Sequence, residues 1–106
     1  MSVKPLVLRE RAQKDVESAI DFYVRDAGEN VALAFIDDLE NAYSTISKQP
    51  AMGSPRYAYE LDIPELRCWG LKRFPYLIFY IGTGDKIDIW RVLHAKMDIP
   101  AWMQEP

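Results

Sequence analysis

The residues best equipped for chemistry sit near the end of the chain. In RVLHAKMD, Arg91 to Asp98, the single histidine of the 106 residues stands three positions after an arginine and shortly before Lys96 and Asp98. An imidazole is the side chain best suited to moving protons near neutral pH. The basic residues Arg56, Arg67, Lys72, Arg73 and Arg91 have the chemistry to grip a phosphate or the carboxylates of a partner peptide. Against catalysis, His94 has no second histidine and no visibly paired serine or cysteine. It can equally be the polar end of a strand, and the cations solvated charges that keep strand edges from aggregating. Residue types alone favour a binding module over an enzyme.

Other chemistries find little support. The chain has no phosphate-binding glycine loop, no metal-ligand spacing and no nucleophile motif, so neither a metal nor a cofactor is expected. The lone Cys68 lies beside Trp69 and reads as a buried, inert thiol. The acidic run Asp37-Asp38-Leu39-Glu40 reads as a solvated helix face. A net charge of −3 speaks against a protein whose own task is gripping nucleic acid. The charge is uneven, with six basic and nine acidic groups in residues 1–55 but seven basic and five acidic in 56–96. An anionic partner would therefore meet the second half. The first residues hold too short an apolar run for a signal peptide, and no stretch reaches the ~20 residues of a membrane span. A single domain over 1–106 in the cytoplasm, away from membranes, is expected.

The elements that must position these groups follow from periodicity. Val3–Leu8 is short and branched-apolar with Pro5 inside, which suits a first strand at a sheet edge. Val16, Ala19, Ile20, Tyr23 and Ala27 then recur at helical spacing, and Gly28 is placed to stop that helix. Asn30 is a candidate N-cap for a second helix carried by Phe35, Ile36, Leu39, Ala42, Tyr43 and Ile46. With about one residue between them, the two helices predict an antiparallel hairpin. PAMGSPRYAYELDIPE reads as a long irregular loop, either functional or a tether. LRCWGLK, PYLIFYIG and KIDIWRVLH read as strands, the last two joined by a Gly-Thr-Gly-Asp hairpin turn. The tail reads as a coil lying on the body. The order β-α-α-β-β-β predicts a two-layer α+β domain, with the helical hairpin on one face of a largely antiparallel sheet.

Strand parity sharpens that picture. Ile87, Ile89, Arg91 and Leu93 would share one face of the last strand, with Asp88, Trp90, Val92 and His94 on the other. Large apolar groups fall on both faces of the sheet, yet one hairpin covers one face. The tail residues Ile99, Trp102 and Met103, a partner segment, or both must cover the second.

The ordered set Ala12-x-x-Asp15-Val16-x-x-x-Ile20-x-x-Tyr23, Gly28, Ala34-Phe35, Leu39 and Pro50-x-x-Gly53 resembles the helical half of the RelE/ParE toxin superfamily. Leu66-Arg67, Phe74-Pro75-Tyr76-Leu77-Ile78-Phe79-Tyr80, Ile89-x-Arg91-Val92-Leu93-His94 and Asp98 resemble its strand half, in the ParE-like, plasmid-stabilisation branch. The resemblance implies a toxin of a type II toxin–antitoxin pair. Such a toxin inhibits a target, here DNA gyrase, and is neutralised by a ParD-like antitoxin, without a hydrolytic site of its own. Antitoxin contact is then expected at Trp69, Arg73, Tyr80, Trp90 and Arg91. The RelE alternative implies a ribosome-dependent mRNA endonuclease using Arg67, Arg73, Arg91 and His94. The acidic balance and the ending after His94 favour the ParE side. Lys96-Met97 stands where two arginines are usual in ParE-like chains, which weakens the cationic corner and leaves room for a member that binds an antitoxin without being toxic.

Overall fold

The computed structural model of the protein describes residues 3–103. Among these, strand β1 (Leu6–Leu8) leads into helices α1 (Glu10–Ala27) and α2 (Glu29–Lys48). A 3-10 turn at Pro50–Met52 and helix α3 (Arg56–Leu61) follow, then strands β2 (Arg67–Gly70), β3 (Tyr76–Gly82) and β4 (Ile87–His94), and finally helix α4 (Ile99–Met103). The strands form one sheet in the order β1-β4-β3-β2. β2, β3 and β4 pair antiparallel, whereas β1 lies parallel to β4 with Leu6 opposite Ile87. The α+β architecture and the helical hairpin match the expectation from sequence.

The hairpin turns on Gly28. Its φ of +94° is costly for a side chain with a Cβ, and it lets one residue reverse the chain between two helices. α2 consequently begins at Glu29 with Gly28 in the cap position, and the expected Asn30 cap is not used. The inner faces of both helices pack on one side of the sheet. Phe35, Leu39 and Ile46 meet Tyr76, Ile78, Tyr80, Ile87, Ile89 and Val92 there. Tyr23, Phe35, Phe74 and Tyr76 form an aromatic knot whose ring centroids lie 5.1–6.2 Å apart. Such edge contacts each add about 0.5–1.5 kcal/mol beyond area burial.

Burial pushes the Tyr76 hydroxyl up to about 12, with the neighbouring Tyr23 adding to the shift, and burial alone lifts Tyr43 to about 12. The unfolded chain releases these phenolic protons near pH 10, while the folded chain retains them. The unfolded state therefore holds fewer protons in that window, and stability falls as pH rises from about 10 towards 12. Phenolate absorbance at 295 nm should show these two groups ionising together with loss of the circular dichroism signal. A smooth titration of all six tyrosines near pH 10 in a folded chain would contradict this.

The second sheet face is covered by the chain itself. Leu66, Cys68, Phe79 and Leu93 are buried beneath Ala58 and Tyr57 of α3 and Ile99 and Met103 of α4. The tail thus lies over this face as one expectation held, as a short helix, and shares the task with α3. That helix is a departure from the expected loop. Its three prolines border the helix without entering it, with Pro55 just before Arg56. The same segment first extends the sheet: Ser54 and Cys68 exchange both backbone hydrogen bonds, at 2.8 and 2.9 Å. Burial raises the Cys68 thiol, against an opposing pull from Arg56, as an unreactive cysteine requires.

The parity expected for β4 is corrected by a bulge. Tyr80 lies opposite Ile89, but the preceding Phe79 lies opposite Arg91, so Trp90 is the extra residue. The alternation therefore changes phase midway. Ile87, Ile89 and Val92 face the hairpin, while Leu93 faces α3 and α4. Arg91 does not share a row with the isoleucines.

Candidate functional site

β4 outruns β1. β1 pairs only with Ile87–Asp88–Ile89, so β4 has no strand neighbour on that side from Trp90 onward. α1 fills the position. Its Asp15 accepts the Val92 N–H at 3.0 Å, a bond a neighbouring strand would otherwise supply. Both Asp15 oxygens also accept from Arg91, Nε and Nη2 each at 2.8 Å, in the two-pronged geometry that suits guanidinium and carboxylate. Arg91 Nη1 donates to the Trp102 carbonyl of α4 at 2.8 Å, and the Arg91 residue is 6% exposed. The arginine therefore links α1, β4 and α4.

His94 ends β4 with its ring edge-on to Tyr76, centroids 5.1 Å apart, and its Nδ1 accepts the Lys96 N–H at 3.1 Å. Its local bond is that of a strand-end residue. Arg67 lies across the sheet at the start of β2. Its Nη1 donates to the carbonyls of Ala51 and Gly53 at 3.1 and 2.7 Å, pinning the loop after α2. β3 separates β2 from β4, so two strand spacings, about 10 Å, lie between the Arg67 and Arg91 backbones. Their side chains are bonded to different parts of the fold. The four groups named for phosphodiester cleavage are thus not drawn to one point by these bonds.

The residues named for partner contact also divide. Tyr80 is fully buried; its hydroxyl donates to the Pro50 carbonyl at 2.6 Å and accepts the Gly53 N–H at 3.0 Å. A partner cannot reach it without opening that loop. Trp69 is half-buried against the hairpin and helps line a small cavity of about 30 Å3 with Asp38, Thr45 and Lys72. Arg73 is exposed, its side chain on the turn between β2 and β3. Trp90 is half-buried, with the Arg9 guanidinium 4.0 Å over its ring. Arg9 is in turn held by Asp88 at 2.8 Å. Among the described residues, the buried Trp90 Nε1 finds no hydrogen-bond partner.

Sequence reasoning missed the two carboxylates that organise the region. Asp38 is not a solvated residue. It is 4% exposed, and its Oδ2 accepts the Arg73 and Phe74 N–H groups at 2.8 and 3.2 Å, fixing the turn that carries Arg73. Asp15 holds Arg91 and Val92 as described. The signal was spacing: Asp38 falls three residues after Phe35 and four before Ala42, and Asp15 falls three after Ala12, each on a buried helical stripe.

The comparisons with known proteins bear on what this frame is. No match is found among curated proteins. Among solved structures, the chain resembles one described as the chromosomal ParDE TA system from P. aeruginosa, with a TM-score of 0.73 and 22% identity. The match covers 89% of this chain and 98% of that one, which establishes a shared fold. The family model of the ParE toxin of the type II toxin–antitoxin system parDE matches residues 6–99, from β1 to the first residue of α4. The chain belongs to the ParE toxin family.

Proposed function

We propose that this toxin acts by binding, that DNA gyrase is its target, and that a ParD-like antitoxin silences it in the cytoplasm. Family membership supports the toxin–antitoxin role. The observation that carries binding over hydrolysis is the commitment of two of the four groups named for cleavage. Arg91 is held by Asp15 and the Trp102 carbonyl, and Arg67 by two backbone carbonyls. Cleaving a phosphodiester needs such groups aimed at the charge that develops on the phosphate. Here they are aimed at the protein. Trp69, Arg73 and Trp90 are the accessible members of the expected antitoxin contact set, while Tyr80 and Arg91 serve it from beneath by fixing the loop and the tail. Among the described residues, no helix is long and apolar enough to cross a membrane.

In a supercoiling assay with purified gyrase, the chain should inhibit the enzyme, and it should leave mRNA intact on programmed ribosomes. Unimpaired supercoiling together with mRNA cleavage would transfer the chain to the nuclease reading. His94→Ala should retain full potency. A drop of about 100-fold, the scale expected for a lost general acid or base, would restore the histidine as a catalyst.

A further inference from the structure

Among the described residues, one arginine of the seven in the chain has a guanidinium without a partner. Arg9 is paired with Asp88 and Arg91 with Asp15, while Arg25 and Arg67 donate to backbone carbonyls. Arg56 lies over the Tyr57 ring, and Arg11 is likewise engaged. The exposed Arg73 side chain makes no ion pair, hydrogen bond or ring contact among the described residues. Its backbone, by contrast, is firmly fixed. The Arg73 and Phe74 N–H groups both donate to the Asp38 carboxylate of α2, at 2.8 and 3.2 Å. The Phe74 ring packs edge-on against Tyr23 and Phe35, with centroids 5.1 and 5.4 Å away. The Leu71 N–H closes the turn on the Tyr76 carbonyl at 3.0 Å, and the Pro75 carbonyl accepts the Ala95 N–H at 2.8 Å. Burying a carboxylate costs stability, yet Asp38, 4% exposed, is committed to two peptide groups of a surface turn. The result is a cation free at its tip and rigid at its root.

We infer that Arg73 is the anchor with which the toxin grips a carboxylate on the protein surface of gyrase, and that Asp38 is its positioning residue. A planar guanidinium binds one carboxylate through two parallel hydrogen bonds, and a pre-set backbone reduces the ordering lost on binding. Interface energy concentrates on arginine and tryptophan, and the half-buried Trp69 shares a cavity wall with Asp38 and Lys72 beside this turn. Phosphates of the DNA that gyrase carries are the less suitable anion. Gripping a nucleic acid takes several cations, whereas the adjoining Lys72 lines that cavity against Asp38, Asn41 and Thr45. The net charge of −3 also repels a polyanion. This deepens the gyrase reading and rests on it. It gives Arg73 to the target, where resemblance alone assigned it to the antitoxin.

Supercoiling by purified gyrase is measured against rising concentrations of the full chain and its variants, and binding to gyrase without DNA is followed by calorimetry. Circular dichroism checks that each variant is folded at the assay temperature. Arg73→Ala should weaken both inhibition and binding about tenfold or more, as loss of an interface anchor does. Lys86→Ala removes an exposed cation between β3 and β4 and should change neither. Asp38→Asn keeps a carbonyl oxygen for the two N–H groups and should retain potency, whereas Asp38→Ala should lose it. In the Arg73→Ala background, Asp38→Ala should cost no further potency; a further loss would make the acid merely structural and overturn its positioning role. Should Asp38→Ala fail to fold, Arg73→Ala, which removes an exposed side chain, still decides the anchor. Wild-type inhibition that Arg73→Ala retains would overturn the anchor and leave the gyrase reading standing. Binding that requires DNA and falls steeply with salt would put Arg73 on a phosphate and also overturn the proposal. A wild type that leaves supercoiling unimpaired would overturn both.

Discussion

Asp15→Ala should destabilise the protein by about 3–5 kcal/mol, the range observed when one partner of a buried ion pair is removed. The substitution strands a guanidinium whose side chain is 7% exposed and deprives the Val92 N–H of its acceptor. Because domains of this size are stable by only about 5–15 kcal/mol, the variant becomes marginal. Its melting temperature should fall by more than about 10 °C. Urea unfolding of the wild type and variant measures the difference. The paired change Asp15→Leu with Arg91→Met, which removes both charges, should lose less than Asp15→Ala alone. If Asp15→Ala costs under about 1 kcal/mol, the pair is a surface contact in energetic terms and the account of β4's edge is wrong.

The second large effect lies where the loop after α2 crosses the sheet. Gly53 has φ −64°, which any residue adopts, so backbone freedom is not the reason for glycine here. Space is the reason. A Cβ on residue 53 would lie 2.1 Å from the Tyr80 hydroxyl oxygen and 2.8 Å from the ring carbon that bears it. Gly53→Ala must push the loop off Tyr80, breaking both hydrogen bonds of that hydroxyl and loosening the Arg67 contacts. A cost of about 2–4 kcal/mol combines overpacking with the lost bonds. Tyr80→Phe keeps the ring but leaves the Gly53 N–H and the Pro50 carbonyl unpaired, for about 1–3 kcal/mol. Both changes attack the same contact, so the double variant should cost clearly less than the two single losses added together. Strict additivity in thermal or urea denaturation would mean that residue 53 and Tyr80 are not coupled.

The hairpin was readable because its information is local: Val16, Ala19, Ile20 and Tyr23 repeat at helical spacing, and a glycine marks the reversal. The strands were readable from their apolar runs and the turn between β3 and β4. Three features were not. Helix α3 was obscured because prolines flank so short a run that punctuation outweighed periodicity. The bulge at Trp90 depends on which β3 residue sits opposite, which the sequence of β4 does not contain; one extra residue reversed the facing of everything after it. Asp38 read as solvated because neighbouring acids suggest an outer face, although spacing from Phe35 placed it inside. The same limitation governed the site. Residue types suggested which groups could do chemistry, but their partners determined what was available. Tyr80 and Arg91 proved to be engaged, and the acid that engages Arg91 lies 76 positions away in the chain.

The pairing of β1 with β4 has a consequence for how the protein comes into being. Leu6 must find Ile87, so the sheet joins segments far apart in the sequence. β4 is an inner strand of the sheet, and it is also the last strand to be synthesised. On a ribosome, the finished hairpin waits with β1 unpaired until β4 has emerged. Pairings this distant in sequence close slowly, and the waiting surface is open to other partners. A toxin built in this way cannot complete its sheet before Ile87–His94 has been made. Completion of the sheet is therefore late relative to formation of the hairpin.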